Sequence, residues 1–91
     1  MSAVQSVNTL FLDTNIHTIY DLMVSKRYLL ANIHIANIVY ELSDINAMTQ
    51  FCTTLINIQK DIILGSVQKA QEQLRMLHYD MISSFLVENT I

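Results

Sequence analysis

The chain has no proline, no tryptophan, one glycine (Gly65) and one cysteine (Cys52) in 91 residues. Proline and glycine are the residues that stop helices and make tight turns, so long stretches have no local reason to leave a helix. A β-sandwich of this size needs several Gly- or Pro-rich turns, and they are missing. A single cysteine excludes an internal disulfide framework and fits a reducing compartment. Charge is scarce too: Asp, Glu, Lys and Arg make up 14% of the chain, against about 25% in an average soluble domain. Five Lys and Arg face eight Asp and Glu, giving a net charge of −3. That balance does not supply the basic face that displaces counterions from a phosphate backbone, so nucleic acid is an unlikely partner.

What is present is apolar. Hydrophobic residues form 52% of the sequence and the mean hydropathy is +0.34, which excludes an intrinsically disordered tail. The length suits one small domain. The longest charge-free interior stretches, 28–40 and 45–59, contain Asn32, Asn37, Asn46, Gln50 and Asn57. Both fall short of the roughly 18–20 apolar residues of a spanning helix. The first twelve residues carry no basic residue and no long apolar run, so they do not read as a secretory signal. The expectation is a soluble, cytoplasmic protein.

Helical spacing dominates the pattern. Val67, Ala70, Leu74, Leu77, Met81 and Phe85 step by three and four, predicting a helix near 66–88. Glu72 and Arg75 on its outer side are placed to pair at i,i+3. Ile45, Met48, Cys52, Leu55 and Ile62 make a second stripe, with Ser43 or Asp44 available as its cap. Gly65 suits the left-handed residue that ends a helix, and Ser66 could cap the next. The two stripes stay nearly in phase through Gly65, so a single helix of about 65 Å from 44 to 87 is the competing reading; a break is favoured. In the first half, Ile16, Ile19, Tyr20, Met23 and Leu30 fit a stripe capped by Asp13 or Thr14. The segment Asn32-Ile33-His34-Ile35 alternates like a strand. The polar set Arg27, His34, Asn37, Glu41 and Asp44 nevertheless recurs helically, predicting one helix over 14–42. The expected fold is all-α: an arm or short helix at 1–13, then a single helical domain at 14–91. Its three helices (14–42, 44–64 and 66–88, the last two possibly fused) should pack as a homo-oligomeric bundle.

The apolar surplus is the main functional pointer. A chain this short leaves much of each helix wet, yet 28–42 is apolar nearly all round. Burying each such side chain contributes about 1.5–3 kcal/mol. The residues expected to carry self-association are Leu29, Leu30, Ile33, Ile35, Ile38, Val39, Phe51, Ile58, Ile63, Leu74, Leu77 and Met81. The expectation is an obligate homo-oligomer, a homodimer with an isologous, coiled-coil-like interface being the economical arrangement.

Residues able to carry chemistry are few. Cys52 lies on an apolar stripe and reads as a buried small hydrophobe rather than a nucleophile. Asp13, His17 and Asp21 stand at i, i+4 and i+8 on one helical face and could offer ligands to a divalent metal. The stronger HExxH and paired CxxC patterns are absent, however. His34 with Asn37 and Glu41 suggests a polar network between helices that fixes register. No glycine-rich phosphate loop and no acid–base pair is evident. No enzyme activity, cofactor or metal is therefore expected. The sequence points to a small self-associating interaction protein (an adaptor, chaperone-like or assembly subunit) that packs on itself and on a helix of some other protein. Two alternatives remain. One is a nucleic-acid-associated regulator, if Lys26, Arg27, Lys60, Lys69 and Arg75 gather on one face. The other is a metal- or ligand-binding bundle.

Overall fold

In the computed structural model, which describes residues 9–89, the chain is four α-helices with no strand among the described residues. They are α1 (Thr9–Val24), α2 (Tyr28–Leu42), α3 (Thr49–Ile63) and α4 (Val67–Asn89), with a 3-10 turn, Asn46–Met48, before α3. Each helix packs on the two beside it, and α4 closes the ring against α1. With turns this short, successive helices run antiparallel, giving an up-down-up-down four-helix bundle.

Each helix turns one stripe inward. Leu12, Ile16, Ile19 and Met23 of α1 meet Ala31, Ile35, Ile38 and Leu42 of α2. Cys52, Leu55, Ile58 and Ile62 of α3 and Ala70 and Leu74 of α4 complete the buried core, with Leu77 and Met81 packed against it. Steps of three and four keep these side chains on one side of a 3.6-residue helix, the pattern of bundle packing.

The expected helix over 14–42 is in fact two, and three main helices become four. The chain turns at Ser25–Lys26–Arg27, where Lys26 has φ +65°. The Arg27 N–H donates to the Leu22 carbonyl at 2.8 Å and the Lys26 N–H to that of Met23 at 3.0 Å, the paired bonds of a Schellman stop. The same stop follows α3. Gly65 has φ +85°, and the Ser66 and Gly65 N–H groups donate to Asp61 at 2.8 Å and Ile62 at 3.1 Å. The break at Gly65 is therefore real, and the fused 65 Å helix does not form; the longest extent of the molecule is 41 Å.

The two stops reveal an internal correspondence that sequence reading missed. Gly65 stands 39 positions after Lys26, and Ala70, Leu74 and Leu77 stand 39 after Ala31, Ile35 and Ile38. Hairpin α1–α2 and hairpin α3–α4 thus share one core register, joined by residues 43–48.

Some boundaries differ from expectation. Asp13 and Thr14 lie inside α1 rather than capping it, because the helix begins at Thr9. The expected arm at 1–13 thus contributes its last residues to α1, while 1–8 lie outside the described residues. Ser43 and Asp44 belong to the link, and the N-cap of α3 is Met48, without a side-chain bond. Ser66 sits where a cap should, its carbonyl accepting the first bond of α4 from the Ala70 N–H. Among the described residues, no helix is long and apolar enough to cross a membrane.

Candidate functional site

Two features stand out from the bundle: a cluster of titratable side chains on the α1–α4 seam, and the outward face of α2.

On the seam, Asp13 and His17 project from the same face of α1, one turn apart. His78 of α4 faces them. His78 Nε2 lies 2.5 Å from Asp13 Oδ1, and His17 Nε2 lies 3.5 Å from the same oxygen. The two imidazoles meet edge to face with centroids 5.0 Å apart. One donor atom from each of the three residues falls within 4.8 Å of the others. The His78 and Asp13 side chains are 25% and 35% exposed, whereas His17 is 62% exposed, so the cluster is packed on its inner side and open outward. Beside it is a cavity of about 220 Å³ lined by Ile16, His17, Tyr20, Leu74, Arg75 and His78.

Of the expected trio, Asp13 and His17 do come together, but Asp21 does not join them. It lies about 12 Å along α1 from Asp13, one turn beyond His17, at 1.5 Å per residue. The third member is His78, which sequence reasoning missed. No local signal could have found it, because its partner is 65 residues distant.

Several other polar residues tie neighbouring helices together. His34 Nε2 bonds Asn15 Oδ1 at 2.8 Å, so the expected polar network runs from α2 to α1 rather than along Asn37 and Glu41. Gln59 Nε2 donates to the Asn32 carbonyl at 3.0 Å, tying α3 to α2, and Gln73 donates to Asp61, tying α4 to α3. Arg75 and Glu72 pair at 3.7 Å in full solvent contact, worth a few tenths of a kcal/mol at most. Cys52 is buried, and burial pushes its thiol above the ordinary 9.0, which favours the less reactive protonated form.

The outward face of α2 is apolar. Leu29, Ile33, Ala36 and Tyr40 step by four, three and four, and all four are exposed. Leu29 is 74%, Ile33 47% and Tyr40 82% exposed. At 100° per residue this seam lies opposite the buried seam Ala31, Ile35, Ile38 and Leu42. Ile56 and Ile63, also exposed, flank Gln59 on the edge of α3 that bonds α2. They therefore extend the patch sideways.

The residues expected at an interface divide accordingly. Ile35, Ile38, Ile58 and Leu74 are spent in the core of one copy, at 4% exposure or less. Val39, Phe51, Leu77 and Met81 are half-buried against that core. Leu29, Leu30, Ile33 and Ile63 remain exposed, and Tyr40 and Ile56 join them without having been singled out.

The cations also have a place. Lys26, Arg27, Lys60 and Lys69 sit at the end of the bundle that holds both Schellman stops, while Arg75 lies further down α4. Asp21 and Asp61 share that end. Its excess of two positive charges is far below the six to ten phosphate contacts of a typical nucleic-acid interface. Glu41, Asp44, Asp80 and Asp13 mark the opposite end, where no Lys or Arg occurs among the described residues. Comparison with protein-family models, with curated proteins and with solved structures finds no match to this chain.

Proposed function

We propose that this protein is a non-catalytic helical interaction module that pairs reversibly with a second copy through the outward seam of α2. The observation that carries the reading is the pair of back-to-back seams on that helix. One holds the bundle together, and the other, with the same four-three-four spacing, faces solvent. A heptad-like seam is the surface that an antiparallel helix fits by knobs-into-holes packing.

Charge favours self-pairing. Lys26 and Arg27 precede α2, while Glu41 and Asp44 lie at its far end, and all four are exposed. They make no ion pair within the chain among the described residues. Antiparallel pairing about a two-fold axis near Ile35 sets Leu29 of one copy against Tyr40 of the other, and Ile33 against Ala36. It also sets Arg27 beside Glu41 of the second copy. An isologous contact of this kind is self-complementary and closed, so it ends at two copies.

Energetics select a reversible pair. Three large side chains from each copy contribute about 10 kcal/mol in all, at about 1.5–3 kcal/mol for each one fully buried. Association costs on the order of 4–15 kcal/mol, so the net gain is at most about 6 kcal/mol and the dissociation constant no tighter than tens of micromolar. Each copy has its own closed core, so the pair is not required for folding.

Light scattering coupled to size exclusion, across micromolar concentrations, tests the proposal. The wild type should move from 10.4 kDa toward twice that mass. L29E should remain monomeric and fully helical, because an acid in the first turn of a helix suits its dipole. R27E should weaken pairing and R27E/E41R restore it. A wild type that stays monomeric at high concentration, or an L29E variant that still dimerises, overturns the reading.

A further inference from the structure

We propose that Asp13, His17 and His78 form a binding site for one divalent transition-metal ion of the zinc class. The inference is independent of the pairing described above, because the site lies on the α1–α4 seam and its ligands all come from one chain.

Convergence is the first argument. Two imidazole Nε2 atoms and one carboxylate oxygen, from two different helices, aim at one small volume. Zinc binds nitrogen at about 2.0–2.1 Å and carboxylate oxygen at about 2.0–2.2 Å, so a tetrahedral site separates its donor atoms by about 3.3 Å. The distances from Asp13 Oδ1, 2.5 and 3.5 Å, straddle that value, and no donor separation exceeds 4.8 Å.

The donor set selects the ion. Two nitrogens and one oxygen suit zinc, cobalt or nickel. Calcium asks for six to eight oxygens, and magnesium for a near-ideal octahedron of oxygen and water. Three protein ligands leave a fourth position for water or a small ligand, as in open zinc sites. Here that position faces solvent and the cavity beside Tyr20 and Arg75. Arg75 gives a small carboxylate a charge to meet there, its present partner Glu72 being a loose surface contact at 3.7 Å.

Titration of zinc into the full chain, freed of metal with a chelator, tests the site by calorimetry. The expected result is one ion per chain, with affinity reduced at least tenfold in H17Q and in H78Q, as disruption of a metal site brings. H34Q should bind like the wild type, since His34 is held by Asn15 on another seam. Because His17 is mostly exposed, H17Q keeps the test valid even if H78Q disturbs folding. Cobalt should give the intense visible absorption of a tetrahedral centre, lost in H17Q. No saturable zinc binding, unchanged affinity in H17Q, or half an ion per chain would each overturn the proposal.

Discussion

At the scale of single residues, the two helix stops are a matched pair made from different amino acids. Gly65 takes positive φ at no steric cost, whereas Lys26 takes it against the clash of its own Cβ. Lys26→Gly should therefore raise stability by about 0.5–1 kcal/mol, read as a later thermal midpoint. Gly65→Ala should lower it by about 1–2 kcal/mol, all of it backbone strain, since a Cβ there meets nothing within 4 Å. These opposite effects would be lost if neither turn were a Schellman stop. The asymmetry also explains what sequence reading could see. A glycine announces a left-handed residue, while a lysine looks like any exposed helical position, so the break near 25 was invisible and the one at 65 was not. Cys52 offers a second test at this scale. Its folded-state pKa is raised by burial, so the native thiol stays protonated while the unfolded one ionises. This group's contribution is fully present below the ordinary value of 9.0 and is lost as pH rises through that range. A thiol-alkylating reagent at pH 8 should react slowly with the native protein and rapidly in urea.

At the scale of elements, α2 carries most of the interest. Its residues were legible as helical, and so was their surplus of apolar surface. Which apolar residues faced inward was not, because the narrow polar strip His34, Asn37 and Glu41 lies about a quarter turn from the buried seam rather than opposite it. Ile35 and Ile38 therefore entered the expected interface although they fill the core. Ile58 was misjudged for another reason: α3 steps three, three and four through Cys52, Leu55, Ile58 and Ile62, so an alternating template passes over it. The two faces of α2 make separable predictions. Ile35→Ala should cost about 2–5 kcal/mol of stability by opening a cavity, measured by urea denaturation of dilute protein. Ile33→Ala, on the outer seam, should change that stability far less while weakening concentration-dependent association.

At the scale of the whole molecule, the bundle is electrically polarised. Lys26, Arg27, Lys60 and Lys69 fall at the end that holds the two Schellman stops, Arg75 lies near mid-bundle, and the opposite end is acidic. The sequence showed these charges but not their gathering, which depends on four antiparallel helices returning the chain to the same end twice. If pairing sets basic end against acidic end, salt should oppose it. Screening over about 8–10 Å at 0.10–0.15 M ionic strength should raise the dissociation constant several-fold between 50 and 500 mM NaCl, measured by sedimentation equilibrium. A salt-insensitive constant would leave the apolar seam as the sole determinant.

The contact between His78 and Asp13 joins positions 65 residues apart, on the seam where the first helix meets the last. Every other helix–helix seam of the ring is formed by sequence neighbours, so this is where the cylinder shuts and where the chain's longest loop is closed. Tying that loop restricts the unfolded chain more than any shorter tether would. An ion lodged there would act as a buckle, holding the molecule closed at the one junction that chain connectivity leaves unsecured.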